Sequence, residues 1–167
     1  TRDYSLDSLG IPNTAYNPEK GCFNSNGDFL FSYSDTSFVT EILTFDGNQW
    51  SHTNSLNSSL PSYFFAQGIT CDKFNNIWLC GTSNNFFDNS LLKFDGINTT
   101  VFLDSSSGAG YYFTDVVTDD IGNAWCYNNP IGLWKCDGQA FTSFISPYSI
   151  SESFLSIDKN NSIWFST

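Results

Sequence analysis

The sequence predicts an all-β chain assembled from repeated four-stranded units, and three observations carry that prediction. One short element recurs, as Asp72-Lys73-Phe74-Asn75-Asn76-Ile77-Trp78, Asp119-Asp120-Ile121-Gly122-Asn123-Ala124-Trp125 and Asp158-Lys159-Asn160-Asn161-Ser162-Ile163-Trp164, with an eroded copy at Asn24-Ser25-Asn26-Gly27-Asp28-Phe29-Leu30. A second signature, Asp-Gly behind an aromatic or a Lys-Cys pair, falls between the copies at Phe45-Asp46-Gly47, Phe94-Asp95-Gly96 and Lys135-Cys136-Asp137-Gly138. The segments around both are short alternating or β-branched and aromatic runs bounded by Gly, Asn and Asp, which is strand patterning. The tryptophans recur after 47 residues (78 to 125) and 39 residues (125 to 164), a spacing that suits the blades of a β-propeller. The expected architecture is three complete four-stranded blades and a split or partial one.

In chain order, the first blade is placed by Gly21-Cys22-Phe23, Phe29 to Tyr33, Ile42 to Phe45 and Gln49-Trp50-Ser51. The second reads Ile69-Thr70-Cys71, Ile77 to Cys80, Leu91 to Phe94 and Thr100-Val101-Phe102, and the third reads Val116-Val117-Thr118, Ala124 to Tyr127, Gly132 to Lys135 and Phe141 to Phe144. The Asp-x-x-Gly/Asn-Asn element joins the first two strands of each blade. There Asp and Asn side chains bond nearby backbone N–H groups, and Gly or Asn accepts positive φ. The Asp-Gly pairs join the third strand to the fourth. Trp78, Trp125 and Trp164 then occupy one equivalent strand position, which places them in the packing between blades. The approximate blades are 13–56, 63–104, 111–146 and a partial 154–167 within one propeller domain or propeller fragment spanning 1–167.

Residues 1–8 read as the last strand of a blade, because Leu9-Gly10-Ile11-Pro12 lines up with Leu60-Pro61. Either residues 1–8 complete the partial blade at 154–167 and close a ring, or the chain is an arc completed by other subunits or by the remainder of a longer propeller chain. The second arrangement is the one expected.

These repeats resemble the two-component-regulator propeller repeat, a bacterial β-propeller family of surface and periplasmic sensor proteins. The residues that carry the likeness are Leu60-Pro61-Ser62 with Asp72 through Thr82, Gly132-Leu133 with Asp137-Gly138, and Ile163-Trp164-Phe165-Ser166-Thr167. Cys80 stands where that repeat usually has an aliphatic residue, and the first copy has no tryptophan. The resemblance implies a propeller outside the cytoplasm, at the cell surface or in the periplasm, and a ligand-sensing role.

Six basic against seventeen acidic residues leave a net charge of −11, which repels phosphate backbones and anionic lipid heads. Nucleic acid is therefore not an expected partner. Membrane insertion is not expected either, since no run approaches the ~18 apolar residues that a spanning helix needs. Five cysteines without a C-x-x-C pair indicate neither a zinc ribbon nor a complete disulfide framework. Most are expected as buried thiols, with a Cys126–Cys136 bridge as the alternative.

The candidate ligand-binding residues are Tyr63, Phe64, Tyr111 and Tyr112. They lie in the runs Tyr63-Phe64-Phe65 and Tyr111-Tyr112-Phe113, ahead of two successive opening strands. On a rim, with Phe86-Phe87 and Trp134, they would offer stacking platforms to a glycan; between blades, they would be core. Asp115, Asp119 and Asp120 are close enough in sequence to raise a cation site, but no calcium-loop pattern surrounds them, and turn bonding accounts for them. No metal, cofactor or catalytic residue is expected. His52 is the single histidine and sits on a likely outer strand, whereas a lyase-type propeller enzyme would need it in the central funnel. The expected function is a non-catalytic interaction module in an extracellular or cell-envelope assembly, with a glycan-sensing propeller as the alternative.

Overall fold

The computed structural model describes residues 20–34, 39–83, 88–103, 112–129, 132–145 and 154–165, and all their regular structure is strand. Blade 1 contains β1 (Gly21–Phe23), β2 (Phe29–Ser34), β3 (Thr40–Phe45) and β4 (Trp50–Thr53); blade 2 contains β5 (Phe64–Cys71), β6 (Ile77–Ser83), β7 (Asp88–Phe94) and β8 (Thr99–Leu103). Blade 3 contains β9 (Tyr112–Thr118), β10 (Ala124–Asn129), β11 (Gly132–Cys136) and β12 (Phe141–Ile145), and a two-stranded unit follows with β13 (Leu155–Ile157) and β14 (Ile163–Phe165). Each complete sheet runs antiparallel in simple sequence order. These are β-propeller blades. Any pairing of residues 1–8 lies outside the described residues.

The recurring turn explains why each blade opens as it does. In all four units the residue three places after the leading Asp or Asn donates its N–H back to that residue's carbonyl, and the leading N–H closes the loop on the residue four places on. That is a type I turn followed by one left-handed residue. The left-handed position holds Gly27, Asn75, Gly122 and Asn161, with φ between 62° and 91°, a conformation open mainly to Gly and Asn. Asp72 Oδ1 accepts the N–H groups of Phe74 and Asn76, while Oδ2 accepts the Asn76 amide at 2.7 Å and the Trp78 indole at 3.1 Å. Asp119 repeats all four bonds with Ile121, Asn123 and Trp125. Asp158 keeps the two backbone bonds and the Trp164 indole.

The eroded first copy keeps the clasp with its polarity reversed. Asn24 Oδ1 accepts the N–H groups of Asn26 and Asp28, and its amide donates to Asp28 Oδ2 at 2.8 Å. Asp and Asn have changed places, and Leu30 stands where an indole would need an acceptor.

Cores form between blades because successive strand residues point to opposite sheet faces. Leu30 and Ile42 of blade 1 meet Phe64, Ile69, Leu79 and Leu92 of blade 2. Trp78, Cys80 and Leu91 of blade 2 meet Phe113, Val116, Ala124, Cys126 and Trp134 of blade 3. Tyr127 of blade 3 meets Leu155 and Ile163 of the following unit. The Trp-bearing face therefore looks toward the next unit along the chain. Trp78 is 0 % exposed and stacks on Phe102. Trp125 is half-buried against Phe144. Trp164 departs from the expected core position at 62 % exposed, because Ile163 takes the face toward blade 3 and Trp164 points the other way.

The opening strands β5 and β9 are longer than the hydrophobic pattern indicates. The register skips Gln67 against Ala66 and Gly68, and it skips Thr114 against Phe113 and Asp115. Each extra residue is a β-bulge, which breaks the period-two alternation and hides the strand's first half from a pattern reading. Much of each aromatic run is therefore strand: Phe64-Phe65 and Tyr112-Phe113 open β5 and β9.

Two outcomes follow. Trp78→Ala should cost about 3–5 kcal/mol in urea unfolding, whereas Trp164→Ala should stay within about 0.5 kcal/mol; equal losses would contradict the packing described. The second concerns pH. Backbone N–H bonds, led by those from Gln49, Asn98, Ala140 and Ser162, hold the carboxyls of Asp46, Asp95, Asp137 and Asp158 below their ordinary value. Burial pushes Asp119 up, but bonds from the Trp125 indole, the Asn123 amide and the backbone outweigh it, so its carboxyl is also lowered. Groups depressed in the folded state lend stability above their unfolded pKa and lose it as pH falls through the folded value. The urea midpoint should hold steady down to about pH 5 and drop below about pH 4; a midpoint unchanged in acid would refute this.

Candidate functional site at the hub

The first strand of each unit is its innermost, and β1, β5, β9 and β13 converge on a cavity of about 300 Å³. Its walls are Gly21 and Cys22 from blade 1, Ile69 and Thr70 from blade 2, Val116 and Val117 from blade 3, and Leu155 from the fourth unit, with Lys20, Asp115 and Phe154 among them. The bulge at Thr114 sets the backbone from which Asp115 enters this space. Asp115 is 2 % exposed. Its Oδ1 accepts the N–H of Val116 at 2.8 Å, its Oδ2 accepts the N–H of Leu155 at 2.5 Å, and Lys20 Nζ pairs with the same Oδ2. Lys20 Nζ also lies 4.5 Å from the centre of the Phe154 ring, within cation–π range. One carboxylate thus ties blade 1 and the fourth unit to blade 3.

Blade 2 makes room for it. Gly68 is the counterpart of Asp115 across the bulge, and a Cβ there would stand 3.2 Å from Asp115 Cα and Oδ1 and 3.0 Å from Cys80 Sγ. Burial pushes the Cys80 thiol up, and the Asp115 charge pushes it further, which leaves a protonated, unreactive sulfur. The cavity is lined mostly by apolar groups, and its opposite charges face each other.

Of the four candidate ligand-binding residues, the structure describes the side chains of Tyr63 and Phe64. Tyr63 is 37 % exposed just ahead of β5. Phe64 is 0 % exposed in the core between blades 1 and 2, and its carbonyl accepts the Thr40 hydroxyl; this corrects its reading as a ligand contact, because strand alternation sends it inward while Tyr63 stays outside. Tyr112 opens β9 opposite Asn129, but its side chain, Tyr111 and Phe86-Phe87 lie outside the described residues. Trp134 is core, edge-on to Phe113 and Phe141.

His52 lies on the outermost strand β4, with Nδ1 2.8 Å from Glu41, so the lyase-type reading loses the histidine it requires in the funnel. Asp115, Asp119 and Asp120 do not converge: the first serves the hub, the second its own turn, and the third the side chain of Asn161. Among the described residues no group of three or more metal-ligating side chains assembles.

The cysteines also rearrange. Cys136 ends strand β11, with Ala124 as its register partner, whereas Cys126 faces Trp134, so the two thiols considered for a bridge are out of register, and they are not joined. The pair that does meet is Cys22 with Cys71, Sγ to Sγ at 2.9 Å. Neither this pair nor the Lys20–Asp115 contact is legible from local sequence, since each joins residues of different blades.

No family model and no curated protein sequence matches the chain. Solved structures similar in fold include the following two. One is PorZ, described as an essential bacterial surface component of the type-IX secretion system of Porphyromonas gingivalis; it is 16 % identical with a TM-score of 0.64, and the match covers 87 % of this chain and 22 % of that one. The other is a Bacteroides caccae protein of unknown function, 12 % identical with a TM-score of 0.61, over 93 % of this chain and 54 % of that one. The chain therefore spans about a fifth of the first and about half of the second.

The hub carboxylate gives a direct test. Asp115→Ala removes the acceptor for Lys20 and for the Leu155 N–H, so unfolding stability should fall by roughly 2–4 kcal/mol. A loss well under 1 kcal/mol in urea titration would show that the hub tie carries little weight.

Proposed function

We propose that this chain is a non-catalytic β-propeller module that docks other protein subunits in a bacterial extracellular or cell-envelope assembly. The observation that carries the reading is one rim of the arc. In an antiparallel sheet ordered one to four, the first and third turns emerge at the same end, so Phe23, Phe74, Ile97 and Ile121 share a rim, and all four are well exposed. Large apolar side chains grouped in water are the mark of a protein-binding surface. The carboxylates beside them are held by their own turns, so the apolar groups dominate what the rim offers a partner.

The fold likeness to a secretion-system surface component supports the same compartment, as does the resemblance to the regulator-type propeller repeat. Because the chain spans a minor share of PorZ, the partners include the remainder of a longer propeller chain. A net charge of −11 argues against nucleic acid and anionic membranes. The glycan-sensing alternative rests, among the described residues, on Tyr63.

A photo-crosslinking residue placed at 74 or 121 should capture one discrete protein partner in the producing cell, while the same residue at Leu56, in the connection on the opposite rim, should not. Equal capture from all three positions, or none from any, would overturn the docking assignment. Binding to a glycan panel that Tyr63→Ala abolishes would favour the sensing alternative.

A further inference from the structure

Two thiols from different blades stand in near-bonding contact beside the core between blades 1 and 2. Cys22 on β1 and Cys71 at the end of β5 are 49 residues apart in sequence, and their sulfurs lie 2.9 Å apart, within about 1 Å of the ~2.05 Å disulfide bond. Both are only partly buried, whereas Cys80, Cys126 and Cys136 are buried. Cys22 lines the cavity, so it is the sulfur that a reagent entering the hub meets. The backbone beneath Cys71 is also anchored, since its carbonyl accepts the Thr118 hydroxyl of blade 3 at 2.9 Å.

From this juxtaposition we infer that Cys22 and Cys71 form an interblade disulfide, a covalent staple that fastens the first strand of blade 1 to that of blade 2. The oxidant is a disulfide-bearing molecule, of small-molecule or protein type. Cys22 gives its proton to solvent and attacks one sulfur of the oxidant, breaking the oxidant's S–S bond and releasing one thiolate, which takes up a proton. Cys71 then loses its proton and attacks the Cys22 sulfur, displacing the second half of the oxidant as a thiol. Two protein thiols are oxidised by two electrons, and the oxidant is reduced to two thiols. The Cys71 thiol is held up chiefly by its bond to Cys22 and then by burial, so it is not the sulfur that attacks first. Compartments outside the cytoplasm supply such oxidants.

The test uses the purified chain and oxidised glutathione, so its outcome does not depend on where the protein resides or what it docks. After equilibration, denaturing alkylation should label three of the five cysteines, and non-reducing peptide mapping should show the Cys22 and Cys71 peptides joined with the loss of two hydrogens. The oxidised protein should melt roughly 5–15 °C above the reduced one. Cys71→Ser should instead retain glutathione on Cys22, because no resolving sulfur remains. Five alkylated cysteines, a Cys126–Cys136 link, or glutathione persisting on Cys22 in the wild-type chain would each overturn the assignment, and the wild-type mapping decides even where the variant does not fold.

Discussion

A single Asp or Asn side-chain oxygen holding its own turn is the interaction on which the blades depend. Each leading Asp closes a three-residue loop by accepting two backbone N–H groups that the turn would otherwise leave without acceptors. Its second oxygen reaches along the next strand to an indole N–H. That reach gives the indole of Trp78 an acceptor inside a dry interface, where a buried indole without one carries a desolvation cost. Turn formation and interblade packing are thereby the work of one side chain. Blade 1 shows which part is indispensable: with Asn24 and Asp28 exchanged the loop persists, and only the indole is gone.

The blades are joined at three places. At the rim, Ser25 donates its N–H and its hydroxyl to Asn75, and Asn161 exchanges bonds with Asp120. These bridges use the side chain of the left-handed residue, so they occur where that residue is Asn. Between blades 2 and 3 it is Gly122, and the Phe74 ring lies on it instead, close enough that a Cβ would come within 3.1 Å. In the middle are the alternating apolar cores. At the centre the Asp115 carboxylate gathers Lys20 and Leu155. Backbone geometry thus decides at each turn whether neighbours are joined by polar or apolar contact.

Much of this was legible in the sequence because the turns are built from residues close together in the chain. Asp-x-x-Gly/Asn-Asn marks a loop whose bonds are all local, and the strands that follow it keep clean alternation. The opening strands were not legible, since Gln67 and Thr114 shift the period by one residue and make Phe64 resemble part of a connection. Trp164 was placed in a core because its repeat position matches that of Trp78, but repeat position fixes only the face of the sheet; what lies against that face is a tertiary matter. The hub was hidden for the same reason. Lys20 and Asp115 are ordinary surface residue types, and only the convergence of first strands brings them together. Asp115 did stand out beside Asp119 and Asp120 as one of three acidic residues close in sequence, although its carboxylate serves the hub.

The graded surroundings of Trp78, Trp125 and Trp164 have an optical consequence. Three indoles share one backbone setting and one kind of carboxylate acceptor, yet they pass from sealed to half-covered to open. Collisional quenchers will reach their excited states in the reverse of chain order. These three indoles therefore form a fluorescent ruler along the described blades, able to report which interface loosens first when the blades separate.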